Sequence, residues 1–183
     1  MPELSNIQTF LKLEGKNPQP FIQRFTTVLK NIGITDTDLI KALELFEWDA
    51  EENGFVYIDQ PKYFETKFNG LKVHALLTGY SPDIDSTFQD NWLCCELLIR
   101  TDEIWDSAVE KFHPDVFGAI RSIALEMRQV FAENPIFFSD EGQDGSDFDG
   151  LRCGQPEKLW KFITLCFQIH FKMNIAILPT GIV

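Results

Sequence analysis

The chain has 183 residues, of which 44% are apolar and 24% are charged. This length and balance are typical of one globular domain that buries its own core, and they exclude a disordered chain. There are 16 Lys and Arg residues against 28 Asp and Glu, which gives a net charge of -12. Because such a surface repels phosphate groups and no segment clusters basic residues, we expect neither nucleic acid nor membrane as a partner.

The compartment is predicted from the N-terminus and the cysteines. Residues 1–14 have neither a basic region nor an apolar core of a signal peptide, and no run of about 18 apolar residues occurs. Adjacent Cys94 and Cys95 would point to opposite faces of a strand, which does not suit a disulfide between them. We therefore expect a cytoplasmic protein with reduced thiols, folded as a single domain over residues 1–183.

The first 50 residues are predicted to be helical. Apolar residues at helical spacing indicate a short helix over residues 5–15 and a stronger one over residues 21–33, which Gly33 would end. Thr35 with Asp38 three residues later resembles a capping box that would open a third helix.

The apolar pattern changes to strand periodicity after Gly54. Strands are predicted over residues 55–58 and 92–100, with a hairpin over residues 62–80 that turns at Asn69-Gly70. A two-residue turn would pair Phe68 with Leu71, Thr66 with Val73 and Phe64 with Ala75, and would place Glu65 opposite His74. One face of the last strand, with Leu93, Cys95, Leu97 and Ile99, should face the core.

The C-terminal half alternates predicted helices and short strands. Helices are expected from Asp102 to Phe112 and from Pro114 to Phe131, followed by a strand over residues 136–139. Residues 140–150 form a predicted loop. The apolar spacing within residues 157–173 suits both a helix and a strand, and we favour a helix there, followed by a strand over residues 174–178. The predicted fold class is α+β, with an antiparallel meander around residues 55–100 packed against N-terminal and C-terminal helices.

Catalytic and metal-binding signatures are missing from the sequence. There is no nucleophile elbow, P-loop, dinucleotide fingerprint or zinc motif, so we expect no cofactor and no metal. Residues 140–149 hold five carboxylates, but a calcium-loop register that starts at Asp140 puts Leu151 where a bidentate Glu is required. Binding of a hard cation in another geometry stays open.

Two interpretations of function follow. An acidic cluster with one aromatic residue at a helix-to-strand junction could anchor a basic partner, and this predicts a non-enzymatic interaction module such as an inhibitor, immunity-type or regulatory protein. The alternative is a small enzyme or ligand-binding protein with a pocket over the sheet, using His74, Glu65 or a cysteine. The predicted partner-binding residues are Glu44, Glu47, Trp48, Asp49, Glu51 and Glu52.

Overall fold

The computed structural model describes residues 4–13, 15, 17–46, 62–80, 90–106, 111–113, 115–134 and 136–139. The chain divides into two compact units, Met1–Glu141 and Gly142–Val183, and every described residue belongs to the first. The predicted single domain over residues 1–183 stays a prediction, because no residue of the second unit is described.

Helices and strands alternate along the described part of the chain. In order they are β1 (Leu4–Lys12), α1 (Gln19–Asn31), α2 (Thr37–Glu44), β2 (Phe64–Glu65), β3 (Lys72–Tyr80), β4 (Trp92–Arg100), α3 (Thr101–Ile104), β5 (Trp105–Asp106), β6 (Lys111–Phe112), α4 (Val116–Val130) and β7 (Ile136–Ser139).

The main sheet has five strands in the order β2-β3-β4-β1-β7, and every neighbouring pair is antiparallel. The first three strands of that order form a meander inside the region where one was predicted. Strand β1, near the start of the first unit in sequence, pairs with β4, and strand β7, near its end, pairs with β1. The α+β class is therefore confirmed, with the addition of a small two-stranded sheet formed by β5 and β6.

One face of the main sheet, called the helix face below, packs against α1, α2 and α4 in a single apolar core. The predicted inward side of β4 lies on this face, and Leu93, Cys95, Leu97 and Ile99 are all fully buried. Because side chains alternate along a strand, the residues between them point to the other side, called the opposite face. The helix face also includes Ile7, Val73, Ala75 and Leu77.

Helix α1 ends as predicted, at Gly33. The residue has φ of +99°, which only glycine adopts without strain. Its N–H donates to the Lys30 carbonyl, and the N–H of Ile34 donates to the Leu29 carbonyl at 2.8 Å. These two bonds form a Schellman motif, which satisfies carbonyl groups at the end of the helix.

Helix α2 begins one residue later than the predicted capping box implied. Asp36, rather than Thr35, occupies the N-cap, and its carboxylate accepts the Leu39 N–H at 3.0 Å. The same carboxylate lies 2.5 Å from Nζ of Lys62, a residue just before the first strand of the hairpin. These hydrogen bonds, first that from Lys62 and then that from Leu39, lower the pKa of Asp36.

The predicted helix over residues 5–15 is wrong, because β1 occupies Leu4–Lys12. Ile7 lies on the helix face between Ser5 and Thr9, which are buried polar residues, and Phe10 is buried on the opposite face. Because the buried face of β1 carries polar Ser5 and Thr9 beside Ile7, the sequence lacks the alternation of apolar and polar residues that would have indicated a strand. The remaining spacing of Ile7, Phe10 and Leu11 imitates a helix.

The predicted hairpin is present but its register is shifted by two residues. Asn69 and Gly70 have φ of +52° and +67°, and the Leu71 N–H donates to the Phe68 carbonyl, as a type I′ turn requires. The ladder, however, pairs Phe64 with Val73 and Glu65 with Lys72. The Lys67 N–H donates to the Ile32 carbonyl at 2.8 Å, so residues 67–70 form a wider loop.

The predicted helix from Asp102 to Phe112 is also wrong. Of the described residues in this range, Thr101–Ile104 are helical, β5 pairs antiparallel with β6, and the His113 N–H donates to the Ile104 carbonyl. Helix α4 and strand β7 confirm the two following predictions. The predictions for residues 55–58, 140–150 and 157–178 lie outside the described residues.

Candidate functional site

The predicted partner-binding cluster begins at the last residue of α2. Glu44 is exposed there, and the next residue, Leu45, is 67% exposed. Leu45 and Leu125 are the only large apolar side chains that are exposed in the described ranges. The other predicted members, Glu47, Trp48, Asp49, Glu51 and Glu52, lie outside the described residues.

The backbone around Leu45 is fixed although its side chain faces solvent. Leu43 and Phe46 on either side are buried, and the Leu45 N–H donates to the Lys41 carbonyl. The Gln19 side-chain amide donates to the Phe46 carbonyl at 2.8 Å and joins this segment to the start of α1. Leu45 is therefore presented on an ordered turn, and no apolar side chain of the described residues covers it.

The predicted pair of Glu65 and His74 is wrong. The two-residue register shift places Glu65 opposite Lys72, and Glu65 is exposed while His74 is buried. The His74 ring instead hydrogen-bonds through Nδ1 to the Lys62 carbonyl at 3.0 Å. Because a carbonyl only accepts, Nδ1 carries a proton in this arrangement and the ring is held in place.

The adjacent cysteines point to opposite faces, as predicted. Cys95 is part of the core on the helix face, whereas Cys94 lies on the opposite face, and both are fully buried. Burial, and secondarily the nearby Glu96 carboxylate, raises the pKa of both thiols well above the ordinary value. A nucleophilic cysteine needs the reverse, a lowered pKa and access to substrate, so neither thiol is suited to that role.

A polar cluster on the opposite face was not predicted from the sequence. Glu96 lies in the middle of β4 and is only 6% exposed. Thr78 Oγ1 on β3 donates to Glu96 Oε1 at 2.9 Å, and the Cys94 thiol also hydrogen-bonds to the Glu96 side chain. A carboxylate within the apolar run of residues 93–99 was the available signal, and charged residues are almost never fully buried without a partner.

Burial dominates the electrostatics of this cluster. It raises the pKa of Glu96, and the hydrogen bonds from Thr78 and Cys94 lower it by less. No Lys or Arg of the described residues pairs with this carboxyl group. The arrangement therefore favours the neutral carboxyl group more than an exposed glutamate side chain would.

Comparison of this chain with family models, with curated proteins and with solved structures found no match. Within the described ranges, no group of three or more His, Cys, Asp or Glu side chains could hold a metal ion. No helix in those ranges has both the length and the apolar character that crossing a bilayer requires.

Proposed function

We propose that the protein is a non-enzymatic interaction module that binds a cationic protein partner through the acidic segment 44–52. The observation that carries this proposal is the exposed Leu45, held on an ordered turn directly beside the exposed Glu44. An apolar contact provides desolvated area, and surrounding carboxylates steer a basic partner toward it.

The charge of the whole chain supports the same assignment. A net charge of -12 gives long-range attraction for a basic surface, and the segment 44–52 contains five carboxylates and no basic residue. Because exposed charges are screened by salt over about 8 Å at physiological ionic strength, the association should weaken as salt is added.

Two charge variants, one inside residues 44–52 and one outside them, test the proposal. One replaces Glu44, Glu47, Asp49, Glu51 and Glu52 by their amides, and the other does the same to five carboxylates in residues 140–149. Both change the net charge equally, so they separate a local site from a general effect of acidity. Affinity capture from the native cytosol, followed by titration with the purified captured protein, should show a loss of binding for the first variant alone.

A matched pair of leucine variants tests the apolar contact. Leu45→Ser and Leu125→Ser each replace an exposed leucine, on α2's end and on α4 respectively. Burying a leucine side chain at an interface is worth about 1.5–3 kcal/mol, so Leu45→Ser should weaken binding about tenfold or more. Leu125→Ser should bind like the wild type.

The proposal is refuted if both charge variants recover and bind the same partner with wild-type affinity. Equal weakening by both charge variants would show that the total charge matters and that residues 44–52 are not a site. Failure of the wild type to capture any basic protein would remove the proposed class of partner.

A further inference from the structure

Glu96 is the only acidic side chain that is buried among those whose burial the structure describes. It lies on a central strand, with β3 on one side and β1 on the other, so neither edge of the sheet exposes it. Removing an ionised carboxylate from water carries a large free-energy cost unless a cation or several hydrogen bonds compensate.

Among the described residues, the groups that surround Glu96 do not supply a cation. Across the strands, Leu76 and Gln8 are directly opposite, and the titratable neighbours are Cys94 on β4 and His74 on β3. The Nδ1 atom of His74 is hydrogen-bonded to the Lys62 carbonyl. Thr78, which lies diagonally across from Glu96 on the same face of β3, donates a hydrogen bond to Glu96.

This set of partners suits a protonated carboxyl group. The hydroxyl of Thr78 and the thiol of Cys94 are neutral groups that can both donate and accept a hydrogen bond. When Glu96 carries its proton, the carboxyl O–H can donate to either of them while the carbonyl oxygen still accepts from the other. When the proton leaves, the hydrogen-bond donors to the buried charge among the described residues are these two neutral groups.

We propose that Glu96 is a proton-operated switch on the opposite face, which packs closed while Glu96 is protonated and opens to water when the proton is lost. The backbone ladder between β3 and β4 continues on both sides of Glu96, from His74–Leu98 to Tyr80–Trp92, so the strands stay joined. Opening therefore means that water enters among the side chains of Glu96, Thr78 and Cys94 while the backbone hydrogen bonds stay in place.

The direction of the response follows from the titration of Glu96. Because burial raises its pKa in the folded protein, the stabilising contribution is complete below the ordinary Glu value of about 4.3 and is lost as the pH rises through the folded value. Each unit of difference between the folded and unfolded pKa increases the unfolding equilibrium constant about tenfold at pH values above both.

The test uses the whole chain and two carboxamide variants. Glu96→Gln keeps an acceptor for Thr78 but cannot titrate, and Glu65→Gln changes an exposed carboxylate on β2 as the control. Urea unfolding from pH 4.5 to pH 8.5 should show that the wild type and Glu65→Gln lose stability as the pH rises relative to Glu96→Gln. Amide hydrogen exchange should leave the β3–β4 ladder protected over this range, whereas alkylation of Cys94 should accelerate with pH more in the wild type and Glu65→Gln than in Glu96→Gln.

A second measurement needs no variant. The side-chain carboxyl carbon of Glu96, followed by NMR in the folded wild type, should titrate above the ordinary Glu value, because burial raises its pKa. The switch is excluded if this carbon titrates near the ordinary value, or if Glu96→Gln folds and shows the same pH dependence as the wild type. These outcomes are independent of binding by residues 44–52.

Discussion

Replacement of Gly33 by alanine should destabilise the protein at the junction between α1 and the hairpin. Gly33 has φ of +99°, where a side chain strains the backbone. A Cβ atom at this position would lie 3.1 Å from the Lys67 backbone nitrogen and 3.3 Å from Lys67 Cβ. Lys67 cannot move away freely, because its N–H donates to the Ile32 carbonyl at 2.8 Å.

The size of the effect has two parts. Left-handed backbone with a side chain costs roughly 1–2 kcal/mol. Crowding against a fixed neighbour adds about 1 kcal/mol or more, as in other overpacked sites. Gly33→Ala should therefore lower the free energy of unfolding by about 2–4 kcal/mol, a large share of the total for a domain of this size.

Two other glycines provide matched controls for the same chemical change. Gly70 also has positive φ, at +67°, but a Cβ there meets no atom within 4 Å, so Gly70→Ala should cost only about 1–2 kcal/mol. Gly118 lies in α4 with open space around it, and Gly118→Ala should stabilise the protein by about 0.5–1 kcal/mol through helix propensity.

Urea denaturation of the three variants, monitored by circular dichroism, measures these differences directly. The expected order of stability is Gly118→Ala, wild type, Gly70→Ala and then Gly33→Ala. If Gly33→Ala is no less stable than Gly70→Ala, the contact with Lys67 has no energetic weight and the reasoning from crowding is refuted.

The remaining predictions concern the core, the N-cap of α2 and the Cys95 thiol. Phe131 is fully buried with its ring 5.0 Å from that of Phe21, so Phe131→Ala should destabilise the protein by about 3–5 kcal/mol in the same assay, and a smaller loss would contradict this packing. Because hydrogen bonds lower the pKa of Asp36, its stabilisation is present above the ordinary value of 3.8 and is lost as the pH falls through the folded value. Asp36→Asn should flatten this acid limb in urea titrations near pH 3, and an unchanged slope would disprove the linkage. Cys95 is a buried thiol in the core on the helix face, so peptide mapping after alkylation should find it modified only in denaturant, whereas labelling of the native protein would show that this core is open.

The elements that local pattern alone determines were predicted well. Helix α1 has both a complete apolar stripe and a glycine stop, and α4 has a stripe that ends in buried Met127 and Phe131. Strand β4 was predicted to the residue, although its opposite face also turned out to be buried. In each case the spacing of the apolar residues in the sequence matches the face that tertiary packing buries.

The errors occurred where distant contacts decide the structure. Strand β1 pairs with β4 and β7, which lie far along the chain, and its buried Ser5 and Thr9 conceal the strand pattern. The hairpin turn was correctly located at Asn69-Gly70, but the bond between Lys67 and Ile32 sets the register. No rule of local turn geometry includes a helix terminus 35 residues away.

At the candidate site, too, local composition could be predicted from the sequence, whereas contacts between distant residues could not. The acidic cluster at residues 44–52 was visible as composition, and its described member Glu44 is exposed as an interaction surface requires. Pairing of side chains across strands was not visible, so Glu65 was matched with His74 while the cluster of Thr78, Cys94 and Glu96 was missed. A two-residue shift in register changes every cross-strand neighbour, although each side chain stays on its own face.

The position of β1 has a consequence for synthesis on the ribosome. Ile7 is paired on one side with Leu97 and on the other with Phe138. Strand β1 leaves the exit tunnel before β4 and β7 do, so both of its edges can be paired only after most of the first unit has been synthesised. Contacts of such long sequence separation slow folding, and during this interval β1 presents unpaired backbone that chaperones or other nascent chains can bind.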